Sequence, residues 1–501
     1  MNRQASRRRA PHVVIIGAGV SGLGLAMALK RSGHHDFTIV EKGDALGGVW
    51  RDNTYPGAAC DIPAHLYSYS FERHDWSQRY AGQREILEYL RGCADKHGLE
   101  AHLRLGTEVR SAHFEEGTGR WRLRTGTGET LEADILVPAC GQLSRPAYPR
   151  IPGTDRFSGH TFHSSRWDHG HDLTGRRVAV IGTGASAIQI IPEVARHAGR
   201  LTVFQRSAPY VVPRWDRVYP RREGVLARLA RTSARLGWWT FNELTVPGLT
   251  RRRPISRLTS YGCAAQLARQ IHDPVTRERL TPRDEVGCKR IGVSSAYYPA
   301  FNEPHVELVT DPIAEITERG IRTETGVEHR VDTIVYATGF TATDFLSPLR
   351  VTGTGGRSLA DTWKEGARAY LGMTVPGFPN MFLLYGPHTN VGAGSVVYMV
   401  ESQIRYVLDA VRILARGKRR RLDVRPQAEE SFTAEMRRRL PGTVWSTCRN
   451  WYRGSGRYVT TNWPGQTMEY RRRTRRVNLA HYQPDRAGPG MPHGRDTGHR
   501  S

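Results

Sequence analysis

The stretch that decides the fold is Val13-Val14-Ile15-Ile16-Gly17-Ala18-Gly19-Val20-Ser21-Gly22. A continuous apolar run ending at a glycine reads as a strand buried on both faces, the habit of a parallel sheet. Residues 20–32 follow with helical periodicity, and Phe37-Thr38-Ile39-Val40 is the next strand, so the chain opens on a βαβ unit. Gly17, Gly19 and Gly22 occupy the GxGxxG positions between strand and helix. The first glycine makes the tight turn, the second lets backbone approach a pyrophosphate, and the third lets helix pack on strand. The helix N-terminus then offers its amides and dipole to the phosphates. Glu41 closes the second strand, where a carboxylate accepts hydrogen bonds from ribose hydroxyls.

The pattern recurs. Arg177-Val178-Ala179-Val180-Ile181 reads as a strand, 185–197 as a helix and 201–204 as a strand. Gly182, Gly184 and Ala187 form a GxGxxA variant, in which Ala187 still permits close packing. Where the first unit has Glu41, the second has Arg206 followed by Ser207. A carboxylate there would repel a ribose 2′-phosphate, and an arginine binds it. One site therefore takes a dinucleotide with a free ribose and the other takes NADPH. A subtler repeat relates 134–141 to 332–339, each a strand ending in a small-residue turn. Two dinucleotides in one chain indicate a flavoprotein in which NADPH reduces FAD.

The fold class expected is α/β, with two Rossmann-like dinucleotide-binding domains and a helical insertion. Residues 11–150 and 341–480 read as the FAD-binding domain, 151–208 and 287–340 as the NADP-binding domain, and 209–286 as the insertion. Residues 1–10 and 481–501 read as disordered tails. The insertion carries Arg-rich helical segments such as 222–239. They read as a charged, solvated face over a domain; the alternative is a basic amphipathic helix on a membrane surface.

Composition bounds the function. The 501-residue chain carries 73 Lys+Arg against 48 Asp+Glu, a net charge of +25, and all but six of its basic residues are Arg. With 39% hydrophobic and 24% charged residues it is globular and long enough for two or three domains. The charge suggests nucleic acid or an anionic surface; an Arg-for-Lys bias from a high-GC genome is the plainer reading. No apolar run approaches the ~18–20 residues of a membrane span, and residues 1–11 lack the form of a secretory signal. The six Cys are scattered without a CxxC, against a disulfide framework, a zinc ribbon or a dithiol reductase. His160 and His163 do not have metal-ligand spacing, so no metal site is expected. These features point to the cytoplasm.

Two longer constellations identify a family. Phe157-Ser158-Gly159-His160-Thr161-Phe162-His163-Ser164-Ser165-Arg166-Trp167-Asp168 fits FxGxxxHxxxW[P/D], and the run from Gly47 through Gly48, Trp50, Tyr55, Pro56 and Gly57 to Asp61 fits [A/G]GxWxxxx[F/Y]P[G/M]xxxD. The chain thereby resembles the Baeyer–Villiger monooxygenases from about residue 11 to about 475. Trp167-Asp168 leans to that branch over the related flavin-containing monooxygenases. The resemblance implies FAD, NADPH, O₂ and a ketone substrate, and oxygen insertion beside the carbonyl through a C4a-peroxyflavin stabilised by Arg290 and bound NADP⁺. It makes Val286-Gly287-Cys288-Lys289-Arg290 the family's G-x-K-R stretch, with Arg290 catalytic, Asp61 positioning it, and Lys289 joining Arg206 at the 2′-phosphate. It places Trp50 near the flavin and gives His163 a coupling role between domains. Asn390 and Gln403 are candidates for contact with substrate or flavin. The rivals are a heteroatom or carbon hydroxylase on the same scaffold, an oxygen-independent reductase and a basic nucleic-acid-binding protein.

Overall fold

The computed structural model describes residues 9–220, 225–250, 254–392, 394–453 and 458–485. β1 (Val13–Ile16) leads through the first glycine turn into α1 (Val20–Arg31) and back to β2 (Phe37–Val40). With β3 (Leu103–Arg104) and β4 (Ile135–Pro138) they form an all-parallel sheet of order β3-β2-β1-β4. Every residue of β1 and β4 is buried, which is why these strands read as unbroken apolar runs.

The second unit repeats the plan. β5 (His160–His163), β6 (Arg177–Ile181), β7 (Arg200–Phe204), β8 (Val306–Val309) and β9 (Thr333–Tyr336) make a parallel sheet of order β8-β7-β6-β9-β5. Helix α2 (Ala185–Ala195) joins β6 to β7. In both sheets the strand before the glycines is flanked by its successor on one side and a late strand on the other. That arrangement opens a crevice at the carboxyl end of β1 and of β6.

The sequence repeat at 134–141 and 332–339 has a packing cause. Gly17 has φ +111°, and a Cβ there would lie 2.7 Å from the Ala139 carbonyl oxygen, in the turn after β4. Gly182 has φ +117°, and a Cβ there would lie 2.4 Å from the Ala337 carbonyl oxygen, in the turn after β9. The same small-residue turn presses on the same glycine twice, so both turns need small residues.

Between the units, α3 (Val225–Thr250) packs against α4 (Pro254–Gln270), and a short helix follows at Pro274–Arg279. A parallel pair, Val211–Val212 with Gly292–Val293, ties together the ends of this excursion. The chain then completes the first unit with α5 (Val396–Ala415), which lies against α1.

Three expectations change. Over residues 229–245 the outward face of α3 is apolar, not charged: Arg231 pairs with Asp75, Arg235 lies 3.9 Å from Glu401, and Leu229, Leu236, Phe241 and Leu244 are exposed. Arginine turns inward here because loop carboxylates and carbonyls are waiting for it. Second, Cys288 and Cys448 form a disulfide across a sequence separation of 160, while Cys60, Cys93, Cys140 and Cys263 are free. Local spacing carries no trace of a bond between such distant loops. Third, residues 481–485 are packed: Tyr482 is fully buried, its hydroxyl 2.8 Å from that of Tyr406, and Asp485 accepts from the Arg420 amide. Residues 1–8 and 486–501 of the expected tails lie outside the described residues. Among the described residues no helix is long and apolar enough to cross a membrane.

The disulfide can be tested directly. Closing so long a loop restricts the unfolded chain, and removing such a bond typically costs about 2–4 kcal/mol. Cys448→Ser should therefore lower the denaturation midpoint under oxidising conditions, and a reductant should bring wild type and variant together. Thiol titration of the unfolded, non-reduced wild type should find the four free cysteines.

Candidate active site

One cavity of about 1560 Å³ runs along both glycine turns and the crevice between the two sheets. A single small-molecule site usually occupies about 300–1,000 Å³, so this one has room for more than one ligand. Gly17, Gly19, Glu41, Gly48, Trp50 and Asp61 line it from the first unit. Gly182, Gly184, Arg206, Ser207, Lys289 and Arg290 line it from the other side. Gly22 and Ala187 lie behind the turns: Ala187 is fully buried, and a Cβ on Gly22 would lie 1.9 Å from the Gly17 carbonyl oxygen.

The first turn is built to leave backbone bare. A Cβ on Gly48 would lie 3.0 Å from the Gly19 Cα, so the two glycines face each other nearly in contact. Glu41 is buried at the end of β2. Its carboxylate accepts from the Ala18 and Gly43 amides, each at 2.9 Å, and from Arg51 at 2.9 Å. It thus holds the glycine turn as well as lining the cavity. Trp50 donates its indole N–H to the Tyr67 hydroxyl at 3.0 Å.

A second cluster gathers at the opposite unit. Lys289 Nζ donates to Ser207 Oγ at 2.7 Å and to Asp284 at 2.5 Å. Thr183 of the second glycine turn donates to the Ser207 carbonyl at 2.9 Å. Arg206 is exposed beside them. The strand end after β7 and the Lys289 segment therefore meet at one point, with donors for a doubly charged oxyanion.

The two units are joined through Asp61. Gly57, at φ +78°, lets the 55–61 loop lie directly on α2; a Cβ there would lie 2.9 Å from the Gln189 carbonyl oxygen. Gln189 uses its whole carboxamide on this loop. Its Oε1 accepts from the Tyr55 hydroxyl at 3.0 Å and the Ala59 amide at 3.3 Å. Its Nε2 donates to the Ala59 carbonyl at 3.0 Å and to Asp61 Oδ1 at 3.2 Å. Asp61 Oδ2 accepts from Arg290 Nε at 3.3 Å. Asp61 is the more buried partner, with 11% of its side chain exposed against 34% for Arg290.

Burial pushes the Asp61 carboxyl above the usual carboxylate range, and the Arg290 charge only partly opposes it. Burial also works against the Arg290 charge, but the Asp61 carboxylate prevails and holds that guanidinium above its ordinary value. A permanent cation thus borders the cavity, fixed by a carboxylate that α2 holds from behind. Gln189 was not among the residues expected from the sequence. Its signal is a long polar side chain flanked by Ile188 and Ile190-Ile191 in a mostly apolar helix.

The FxGxxxHxxxW residues lie outside the cavity lining. A Cβ on Gly159 would lie 2.5 Å from the Asp332 carbonyl oxygen, and Phe157 packs on the core beneath. His163 Nδ1 accepts from the Ser165 amide at 3.1 Å, so Nε2 carries the hydrogen toward the Gly339 carbonyl at 3.0 Å. Burial lowers its pKa, which favours this neutral form. It ties the end of β5 to the turn that presses on Gly182. Trp167 packs on Phe162, and Asp168 pairs with His160 at 2.9 Å.

Asn390 lines the cavity and accepts from the Tyr385 hydroxyl at 2.7 Å. Gln403 does not line it: it is fully buried and accepts from the Tyr385 amide at 2.9 Å. Its expected contact with ligand is corrected to a backbone-holding role, because α5 turns it into the core. Among the described residues no group of three or more His, Cys, Asp or Glu is arranged to hold a metal ion.

Residues 14–234 match the pyridine nucleotide-disulphide oxidoreductase family. The chain is 44% identical over 491 residues to a Baeyer–Villiger monooxygenase of Streptomyces coelicolor, covering 96% of this chain and 93% of that one. Its structure is similar to that of cyclohexanone monooxygenase from Rhodococcus sp. Phi1 bound to NADP⁺, with TM-score 0.85 and 30% identity over 93% of this chain and 96% of that one. It is also similar to an OTEMO complex with FAD and NADP, with TM-score 0.84 and 28% identity over 93% of this chain and 97% of that one.

Gln189→Leu strips Asp61 Oδ1 and both polar groups of Ala59 of their Gln189 bonds, while Asp61 Oδ2 keeps Arg290. Unsatisfied buried groups cost about 1–3 kcal/mol, which should appear as a lower chemical-denaturation midpoint. Arg206→Ala, at an exposed side chain, should stay within about 0.5 kcal/mol of wild type in the same measurement.

Proposed function

The chain belongs to the Baeyer–Villiger monooxygenase family, and from that premise we propose that Arg290, held by Asp61, is the catalytic cation of an FAD- and NADPH-dependent oxidation of a ketone to an ester or lactone. The observation that carries this reading is the half-buried Asp61–Arg290 pair on a cavity lined by both glycine turns. The two turns fit two dinucleotides, since at Gly17 and at Gly182 a side chain would collide with backbone. When bound, FAD would pass two electrons from NADPH to O₂, one atom of which enters the product beside the carbonyl and the other leaves as water.

The residues of this chain do the rest. Arg290 remains protonated at every working pH and offers a fixed positive charge to the negative oxygen that develops during insertion. In a partly closed site such a charge is worth far more than in water. Asp61 fixes the guanidinium through Nε, which leaves its terminal nitrogens for the cavity. Trp50 and Tyr67 give one wall that is aromatic and hydrogen-bonded within itself, which limits water near the reacting atoms. Arg206, Ser207 and Lys289 hold the 2′-phosphate of NADPH. His163, through Gly339, keeps the second glycine turn in place, and so acts on the nicotinamide dinucleotide without touching it.

We also assign the enzyme to the cytoplasm. In the Cys288–Cys448 bond Cys288 is fully buried and Cys448 partly so, and restricted access slows thiol exchange in a reducing compartment.

The deciding experiment offers a ketone panel with NADPH and O₂ to the purified enzyme. Esters or lactones are expected; oxidation of sulfides or amines without any ester or lactone would overturn the ketone reading. Arg290→Ala should leave flavin reduction by NADPH within about threefold of wild type and lower ester formation at least about a hundredfold, with hydrogen peroxide formed instead. Arg206→Ala should raise the KM for NADPH by about tenfold and leave that for NADH unchanged, as expected for loss of one charge-assisted contact.

A further inference from the structure

We propose that the outward face of α3 is a docking surface for an anionic lipid bilayer, on which the protein lies without crossing it. At 3.6 residues per turn, Leu229, Ser233, Leu236, Thr240, Phe241 and Leu244 share one side of this helix. The leucines and the phenylalanine there are 58%, 59%, 69% and 56% exposed for Leu229, Leu236, Leu244 and Phe241. From 229 to 245 the only charged residues are Arg231, Arg235 and Glu243, and all three turn toward the protein. Arg231 pairs with Asp75, Arg235 donates to the His65 and Ser68 carbonyls at 2.9 and 2.7 Å, and Glu243 accepts from the Thr467 amide at 2.9 Å. A helix on a soluble surface buries its apolar stripe and shows its charges. This one does the reverse, and apolar surface of this kind marks an interaction site.

Neighbouring elements also expose apolar side chains. Arg79 donates to the Trp215 carbonyl at 2.6 Å and lies 5.4 Å over the Trp238 ring of α3, so the 215–218 loop sits beside the helix. Trp215 and Val218 of that loop are 68% and 77% exposed. α4, packed against α3, exposes Leu258 and Tyr261 at 73% and 75%. Exposed Trp and Tyr beside aliphatic residues suit the headgroup boundary of a bilayer.

Charge selects the occupant. The chain carries +25, and Arg251-Arg252-Arg253 join α3 to α4 in the sequence. A second copy brings the same +25 and is repelled, whereas an anionic leaflet attracts a basic chain that also shows it an apolar face. The inner side of α3 backs onto the cavity. A Cβ on Gly394, which lines the cavity, would lie 3.9 Å from Asn242, and Trp239 stacks on Tyr398 at 5.9 Å. The docked face and the cavity wall are therefore two sides of one helix. The proposal does not depend on the assignment of Arg290.

The test is sedimentation of the full-length, flavin-loaded protein with vesicles of equal phosphatidylglycerol and phosphatidylcholine, or of phosphatidylcholine alone. Wild type should pellet with the mixed vesicles and bind neutral ones about tenfold more weakly. Leu236→Glu/Phe241→Glu should lose about tenfold or more of the binding to mixed vesicles, with melting temperature and visible spectrum retained. Thr240→Glu, a milder change on the same face, should weaken binding in the same direction. Wild type left in the supernatant with mixed vesicles would overturn the proposal. So would undiminished binding by all three Glu substitutions, or a wild-type dimer in solution that they dissociate, since a second copy would then cover the face.

Discussion

The rest of the site depends on one contact: the docking of the 55–61 loop of the first unit on α2 of the second. Gly57 makes the approach possible, and the Gln189 carboxamide holds it by bonding both polar groups of Ala59 together with Asp61. Asp61 then reaches Arg290, which enters on the segment returning from the insertion. Three parts of the chain that are far apart in sequence converge on one carboxylate. Removing Arg290 leaves the more buried Asp61 carboxylate without its cation, at a cost lessened by the partial exposure of the arginine. The pair is better understood as a positioning device than as a source of stability, since desolvation offsets much of its attraction.

The two nucleotide units show how one physical rule, used twice, leaves a readable repeat. A glycine at positive φ ends a buried strand, and a small-residue turn from a late strand presses on it. No side chain fits between them. Both the fingerprints and the weaker likeness of 134–141 to 332–339 follow from that crowding. His163 joins the same arrangement from the side, through the carbonyl of Gly339. A residue outside the cavity thereby shapes a turn that lines it.

The 73 basic residues have several destinations. Arg290 meets Asp61, Lys289 meets Ser207 and Asp284, and Arg231 and Arg235 turn into the protein toward Asp75 and Glu401. The last two leave α3 apolar on its solvent side. A count of arginines carries no information about which way they point. An Arg-rich helical segment therefore read as a charged outer face, when its partners lay underneath.

Local pattern was sufficient wherever the physics is local. Buried strands, glycine turns, the helices that follow them and the acid or arginine after the second strand of each unit were all legible from short stretches of sequence. So were the motif positions at Asp61 and Arg290, through their resemblance to a family pattern. Tertiary structure alone decided that Gln189 holds Asp61, that Gln403 faces the core, that Cys288 and Cys448 bond, and which side of α3 faces solvent. Each depends on the direction of a side chain or on the meeting of segments distant in sequence. Those are set by packing across the whole chain, and the periodicity of one segment does not contain them.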